Sequence, residues 1–303
     1  MASIEEIIVG LSGRLGEPAG TPEPLDGGIT NRNYRVAFGA DEYVIRFPGK
    51  ETDLLGISRE AERIAGAAAA GLGIAPELVA AEPDYTVTRF LRARPLSPGE
   101  LASDPAPVAD ALRTFHESGV RLPVQFWVPD LLDEYARVVR SRGGELPDVY
   151  GRTQELVGRI ATVLPLRHPV ACHNDLLPGN LMMVDPDGPA DAPMLMLVDW
   201  EYAGMGHPLF DLGNLAVNNE LDASAGDRLL AAYFGEPPGP ARRAALELMR
   251  IMSDAREAAW GVVQSVISEL DFDFDAYAAR HFSRLAQAAS SPSFEEWLGA
   301  AAA

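Results

Sequence analysis

His173-Asn-Asp-Leu-Leu-Pro-Gly-Asn180, followed by Leu197-Val-Asp-Trp-Glu-Tyr202, decides how the chain is read. The first stretch sets an acid, Asp175, in a polar loop and an amide, Asn180, five residues later. The second ends a short apolar run on another acid, Asp199. Phosphoryl transfer needs a carboxylate to position the acceptor hydroxyl and oxygen ligands for Mg²⁺. Mg²⁺ takes carboxylate, carbonyl and water oxygens. Asp175 meets the first need; Asn180 and Asp199 meet the second. Leu181–Val184 and Met194–Val198 flank a turn containing Pro186, Gly188 and Pro193. They predict a hairpin that returns Asp199 to Asn180. The spacing H-x-D-x4-N, then D, is the kinase plan.

Working outward, residues 3–16 predict a short amphipathic helix, and Glu17 to Pro24 a Pro/Gly-rich spacer. A Gly- and Asn-rich turn, Leu25 to Asn33, leads into two strands, Tyr34–Phe38 and Tyr43–Phe47. Ser58 caps a helix running to about Gly71, where Ala61, Ile64, Ala65 and Ala68 recur at helical spacing. Tyr85 to Leu91 predicts another strand. After Pro95, segments 106–118, 130–142, 149–164, 208–220, 223–234, 239–270 and 274–289 read as helices. The expectation is an α+β chain of two lobes: a small N-terminal one over 1–91, and a larger, mostly helical one over 92–303.

Composition narrows the function. The chain has 303 residues with 47% apolar and 23% charged, ordinary globular usage. Its net charge of −19 repels phosphate backbones and anionic membranes. Neither nucleic acid nor membrane is expected as a partner. One cysteine, Cys172, permits no internal disulfide and fits a reducing compartment. Met1-Ala-Ser-Ile-Glu-Glu6 carries acid where a signal peptide needs base. A cytoplasmic protein is expected, its oligomeric state open. No P-loop, G-x-G-x-x-G, H-E-x-x-H, C-x-x-C or G-x-S-x-G occurs. Asp271 to Asp275 starts like a calcium loop but has Ala276 where Gly is needed and Phe282 where Glu is needed.

The His173–Asn180 loop resembles that of the choline/ethanolamine kinase and aminoglycoside phosphotransferase superfamily. Asp199-Trp-Glu-Tyr-Ala-Gly204 with Pro208-Leu-Phe-Asp-Leu-Gly-Asn214 resembles the choline-kinase branch in particular. So do Gly27-Gly-Ile-Thr-Asn31, Val44-Ile-Arg-Phe47 and Trp260 to Ser268. The resemblance implies a protein-kinase-like fold with ATP at the interlobe hinge. It implies Asp175 as catalytic base, touching substrate, with Asn180 and Asp199 on Mg²⁺. Arg46 stands where protein kinases have a strand lysine, and Glu62 would be its ion-pair partner, with Glu60 the alternative. Gly27 to Asn31, including Gly28 and Thr30, would cover the phosphates. Thr88 to Leu91, with Arg89 and Leu91, would meet adenine. His173 and Asp211 would brace the loop; His116 and His207 read as surface or packing residues.

The resemblance also implies an acceptor, a small cationic alcohol, choline or ethanolamine. Aromatic faces with nearby carboxylates bind such cations. Trp260, Phe272, Phe274 and Tyr277 cluster near the C-terminus, with Tyr202 after the metal-binding acid. Two positions depart from the family pattern: Asn218 stands near an expected acid, and Glu257 where a second Trp is usual. Both are assigned to the substrate site. An aminoglycoside, thiamine or another alcohol, or a nucleotide-binding pseudokinase, are the alternatives.

Overall fold

The computed structural model describes residues 3–25, 31–184 and 194–302. Helix α1 (Ile4–Leu15) begins at a Ser3/Glu6 capping box. Strands β1 (Pro18–Leu25), β2 (Arg32–Phe38) and β3 (Asp41–Phe47) follow, then helix α2 (Arg59–Gly71), then β4 (Leu78–Glu82) and β5 (Tyr85–Arg89). The strands form one antiparallel sheet in the order β1-β2-β3-β5-β4.

Strand alternation explains the sheet's two faces. Tyr43, Ile45 and Phe47 of β3 are buried with Ile7, Ile8 and Leu11 of α1. Val44 and Arg46 turn to the other face. Register places Val44 opposite Thr88 and Arg46 opposite Thr86. All four line one cavity. The 17–24 stretch, expected as a spacer, is the edge strand β1. Prolines are tolerated on an edge, where no partner needs their missing N–H, and β1 is too exposed to show apolar alternation.

The sheet gives way to β6 (Ala93–Pro95), helices α3 (Pro98–Ser103), α4 (Ala106–Glu117), α5 (Val128–Ser141) and α6 (Val149–Val163), and β7 (Val170–Cys172). The predicted hairpin is β8 (Leu181–Val184) with β9 (Met194–Leu197), Leu181 facing Leu197. Its turn, including Pro186, Gly188 and Pro193, lies outside the described residues. β6 adds to β8, and β7 pairs with β10 (Gly204–Gly206). Helices α7 (Pro208–Asn218), α8 (Ala223–Phe234), α9 (Pro240–Ile267), α10 (Phe274–Ser290) and α11 (Ser293–Ala301) complete the chain. This is the α+β, protein-kinase-like fold.

Two cores position the site. Ala61, Ala65 and Ala69, one i, i+4 face of α2, share a core with Leu176, Leu197, Trp200 and Leu212 from the helical part. Helix α9 runs through the other core and carries a nearly continuous buried segment from Leu248 to Gln264. Helix α7 crosses it at Gly213, where an added Cβ would lie 2.6 Å from the backbone of Met249. That close crossing sets Arg256, Glu257 and Trp260 beneath the 173–180 loop. No helix of the described residues is long and apolar enough to cross a membrane.

Candidate active site

The 173–180 loop is held from below by one fully buried carboxylate. Asp211 accepts from the backbone nitrogens of His173 at 2.9 Å and Asn174 at 2.7 Å. It also bonds His116 Nε2 at 2.9 Å, so His116 is a buried partner and not a surface residue. Asn214 Oδ1 accepts from Leu176 N at 2.5 Å. Asn174 takes a left-handed φ of 67°, which Asn tolerates better than most residues. His173 packs against the Trp200 ring at 4.5 Å, its Nε2 bonded to the Val198 carbonyl. Burial lowers its pKa and favours the neutral ring. Cys172 is fully buried, and burial pushes its thiol pKa well up.

Asp175 and Asn180 meet at the loop's open end. Asn180 Nδ2 donates to the Asp175 backbone oxygen at 2.8 Å and to Oδ2 at 3.3 Å. Its amide oxygen is thereby turned the other way. Val198 N donates to the Asn180 carbonyl at 3.1 Å, closing the hairpin that brings Asp199 alongside. Asp199 is left-handed, φ 66° and ψ 65°, an unusual state for a residue with a side chain.

Arg46 reaches this point from the sheet. Its guanidinium pairs with Asp199 and Glu62 and lies 3.8 Å from Glu201. Burial opposes its charge, yet Asp199 and Glu201 hold its pKa above the ordinary value. Glu62 also pairs with Arg59 at 2.6 Å, and Arg59 with Glu201 at 3.4 Å. Glu201 accepts from Asn31 Nδ2 at 3.2 Å. Burial, then Asp199, raises its pKa. Glu201 was not among the residues expected at the site; its only signal is its place two residues after Asp199.

Between the sheet and the hairpin lies a cavity of about 370 Å³. Its walls include Asn31, Val44, Arg46, Glu62, Met182 and Asp199. Arg89 and Leu91 also line it, though the Arg89 guanidinium is paired with Asp41. Gly27, Gly28 and Thr30 lie outside the described residues.

The aromatic residues converge as a bonded chain. Trp260 Nε1 donates to the Tyr202 hydroxyl at 2.8 Å, and its ring meets Tyr277 edge-on at 5.5 Å. The Tyr277 hydroxyl donates to Glu257 Oε2 at 2.7 Å. Phe272, partly exposed, packs 6.0 Å from Tyr277. Asn218 is not brought into this chain; its amide nitrogen is buried without a hydrogen-bond partner among the described residues.

Sequence reasoning missed Arg256, which joins the two halves of the site. Its Nη1 donates to Asp175 Oδ1 at 3.2 Å and to Glu257 Oε1 at 2.7 Å. Its guanidinium stands 4.1 Å over the Tyr202 ring. Burial raises the Asp175 pKa to about 8; Arg256 pulls it down, while Glu257, Asp199 and Glu201 push it up. Burial alone would raise Glu257, but Arg256 and His281 hold it below its ordinary value. The arrangement presents a shielded carboxylate, Asp175, bonded to Asn180, which lines the cavity together with Asp199 and Arg46.

A family model described as "Phosphotransferase enzyme family" matches residues 21–246. The chain belongs to this family. Within it, the chain is similar to a choline/ethanolamine kinase family protein from Mesorhizobium loti. That structure is 31% identical, with a TM-score of 0.80 over 98% of each chain. Protein LicA of Haemophilus influenzae is 29% identical over 224 residues, 69% of this chain and 62% of LicA. A probable ethanolamine kinase from Arabidopsis thaliana is 27% identical over 308 residues, 88% of this chain and 78% of its own. The chain is thus of the choline/ethanolamine kinase branch of the phosphotransferase family. The phosphotransferase match ends at residue 246, before Arg256, Glu257 and Trp260.

Proposed function

We propose that the protein transfers the γ-phosphoryl group of ATP to the hydroxyl of a small amine-bearing alcohol, of the choline or ethanolamine kind. The convergence of Asp175, Asn180 and Asp199 below Arg46 supports this reading. The nucleotide occupies the 370 Å³ cavity, with its adenine toward Arg89 and Leu91 and its phosphates toward Asn31 and Arg46. Phosphate contacts from Gly28 and Thr30 belong to the same proposal. Arg46, steadied by Glu62, offsets phosphate charge.

Asn180 and Asp199 fit Mg²⁺. Both present oxygen, and the two bonds from Asn180 Nδ2 to Asp175 fix which side of the amide is oxygen. When bound, Mg²⁺ would be held by Asn180 and Asp199 and would supply charge neutralisation for the phosphate oxygens. Asp175 orients the acceptor hydroxyl and takes its proton. The acceptor oxygen attacks the γ-phosphorus in line as the bond to the β-phosphate oxygen breaks, releasing ADP. Tyr202, Trp260, Phe272 and Tyr277 supply ring faces for the amine, with Glu257 as their acid. The cytoplasm, which supplies ATP and keeps Cys172 reduced, is the assigned location.

ADP release from Mg-ATP, measured across choline, ethanolamine, its mono- and dimethyl forms, thiamine and an aminoglycoside, tests the reading. Turnover with an amino alcohol is the expected outcome. Preference for thiamine or the aminoglycoside would move the acceptor class. Nucleotide binding without turnover of any alcohol would replace the kinase by a nucleotide-binding pseudokinase.

A further inference from the structure

Among the described residues, Arg256 has two donors without a hydrogen-bond partner. The residue is 1% exposed. Nη1 serves Asp175 and Glu257, but Nε and Nη2 are both buried without a hydrogen-bond partner. A buried charged donor left unpaired is costly, so such a pair marks a place for an acceptor. Nε and Nη2 lie on one edge of the planar guanidinium. Their two N–H bonds are parallel and match the two oxygens of a carboxylate.

The surroundings argue against a bare organic cation at this spot. Glu257 already gives one oxygen to Arg256 and the other to Tyr277. One face of Tyr202 is already covered by the guanidinium. Asp175 shares the same nitrogen as Glu257. The protein has thus built its own cation into the acceptor end, one bond from Asp175. An added cation finds both oxygens of Glu257 already engaged, whereas a carboxylate gains two charge-assisted bonds from Arg256.

We infer that the acceptor is a hydroxy compound that also bears a carboxylate, held bidentate by Nε and Nη2 of Arg256. The inference rests on the small-alcohol kinase reading and deepens it. The amine of that reading stays against Trp260, Phe272 and Tyr277, so the acceptor is a zwitterion of the hydroxy-amino-acid class. Both donors are shut from solvent in this structure, so the acceptor reaches them by displacing their covering neighbours.

Matched pairs that differ only in the carboxylate test this: ethanolamine against L-serine, and 3-amino-1-propanol against L-homoserine. Two readouts are taken, ADP release with Mg-ATP and calorimetric binding in the presence of a non-hydrolysable ATP analogue. The wild-type chain should favour the carboxylated member of a pair by roughly 10- to 100-fold in kcat/KM or affinity. Arg256→Lys keeps the charge facing Asp175 and Glu257 but lacks the paired edge, and should erase that preference. Arg256→Met should do the same, and its thermal midpoint reports whether it folds. Retained preference in a folded Arg256→Lys would reduce Arg256 to an ion-pair role and overturn the inference. Preference for the amines over the acids would overturn it while leaving the kinase reading intact. Acid binding without turnover would keep the carboxylate contact at Arg256 but sink the kinase reading, and with it the acceptor role inferred here. Neither binding nor turnover with any member would overturn both.

Discussion

Asn180 donates from a single nitrogen to both the backbone oxygen and the carboxylate of Asp175, at 2.8 and 3.3 Å. One amide therefore fixes the orientation of the acid and aims its own oxygen away from it. Asn180→Ala removes both effects. Outer partners of metal ligands are worth about 10- to 100-fold in metal affinity or activity, and a residue that itself holds Mg²⁺ is worth at least that. The expected result is a loss of that size in kcat, with the Mg²⁺ concentration for half-maximal rate also raised. An unchanged Mg²⁺ dependence would confine Asn180 to orienting Asp175.

Asp175 should show its environment in the pH profile. Burial, Glu257, Asp199 and Glu201 hold its pKa near 8 against the pull of Arg256. The base works ionised. The free enzyme, which kcat/KM reports, should gain activity as pH rises and level off above about 8. Arg256→Met removes the one stabilising cation, so the limb should move to higher pH. Glu201→Gln removes a negative neighbour, so it should move to lower pH. Asp175→Ala should lose roughly 100- to 10,000-fold in kcat, with nucleotide affinity nearly unchanged. Loss of nucleotide binding would mean that Asp175 holds the loop together and does no chemistry.

Removal of divalent metal tests Asp199. With a chelator, turnover should stop and return on adding Mg²⁺ but not Na⁺. Asp199→Asn keeps the shape and loses the charge, and should need far more Mg²⁺. It also deprives Arg46 of a partner, while Glu62 remains. Arg46→Ala should raise the KM for ATP more than it lowers kcat. An equal fall in kcat would place Arg46 on the transferring group.

The catalytic half was legible because its chemistry is local. Asp175 and Asn180 are five residues apart, and the apolar runs predicted the hairpin that returns Asp199. Glu62 was legible only through the family resemblance, with Glu60 as the alternative. Three things were not. β1 was hidden because an exposed edge strand carries no apolar alternation. Glu201 was hidden because nothing local distinguishes it from a surface acid after Trp200. Arg256 was hidden because its meaning depends on where α9 passes. That path is set by a helix crossing at Gly213, between residues far apart in the chain.

The crossing itself gives the last prediction. In a helix, Gly→Ala ordinarily gains about 1 kcal/mol from backbone entropy. At Gly158 in α6 nothing lies within 4 Å of the new methyl group. Gly158→Ala should therefore raise the urea midpoint slightly, by the equivalent of roughly 0.5–1 kcal/mol. At Gly213 the same methyl meets the backbone and Cβ of Met249 at 2.6 Å. A backbone cannot turn aside as a side-chain tip can. Overpacking of this kind costs about 1–3 kcal/mol or more, which exceeds the entropic gain. Gly213→Ala should therefore lower the midpoint. It should also weaken acceptor binding more than nucleotide binding, because shifting α9 moves Arg256, Glu257 and Trp260 while β3 and Arg46 stay in place. Equal responses of the two glycines would mean that the two helices separate freely and that the crossing does not set the acceptor end.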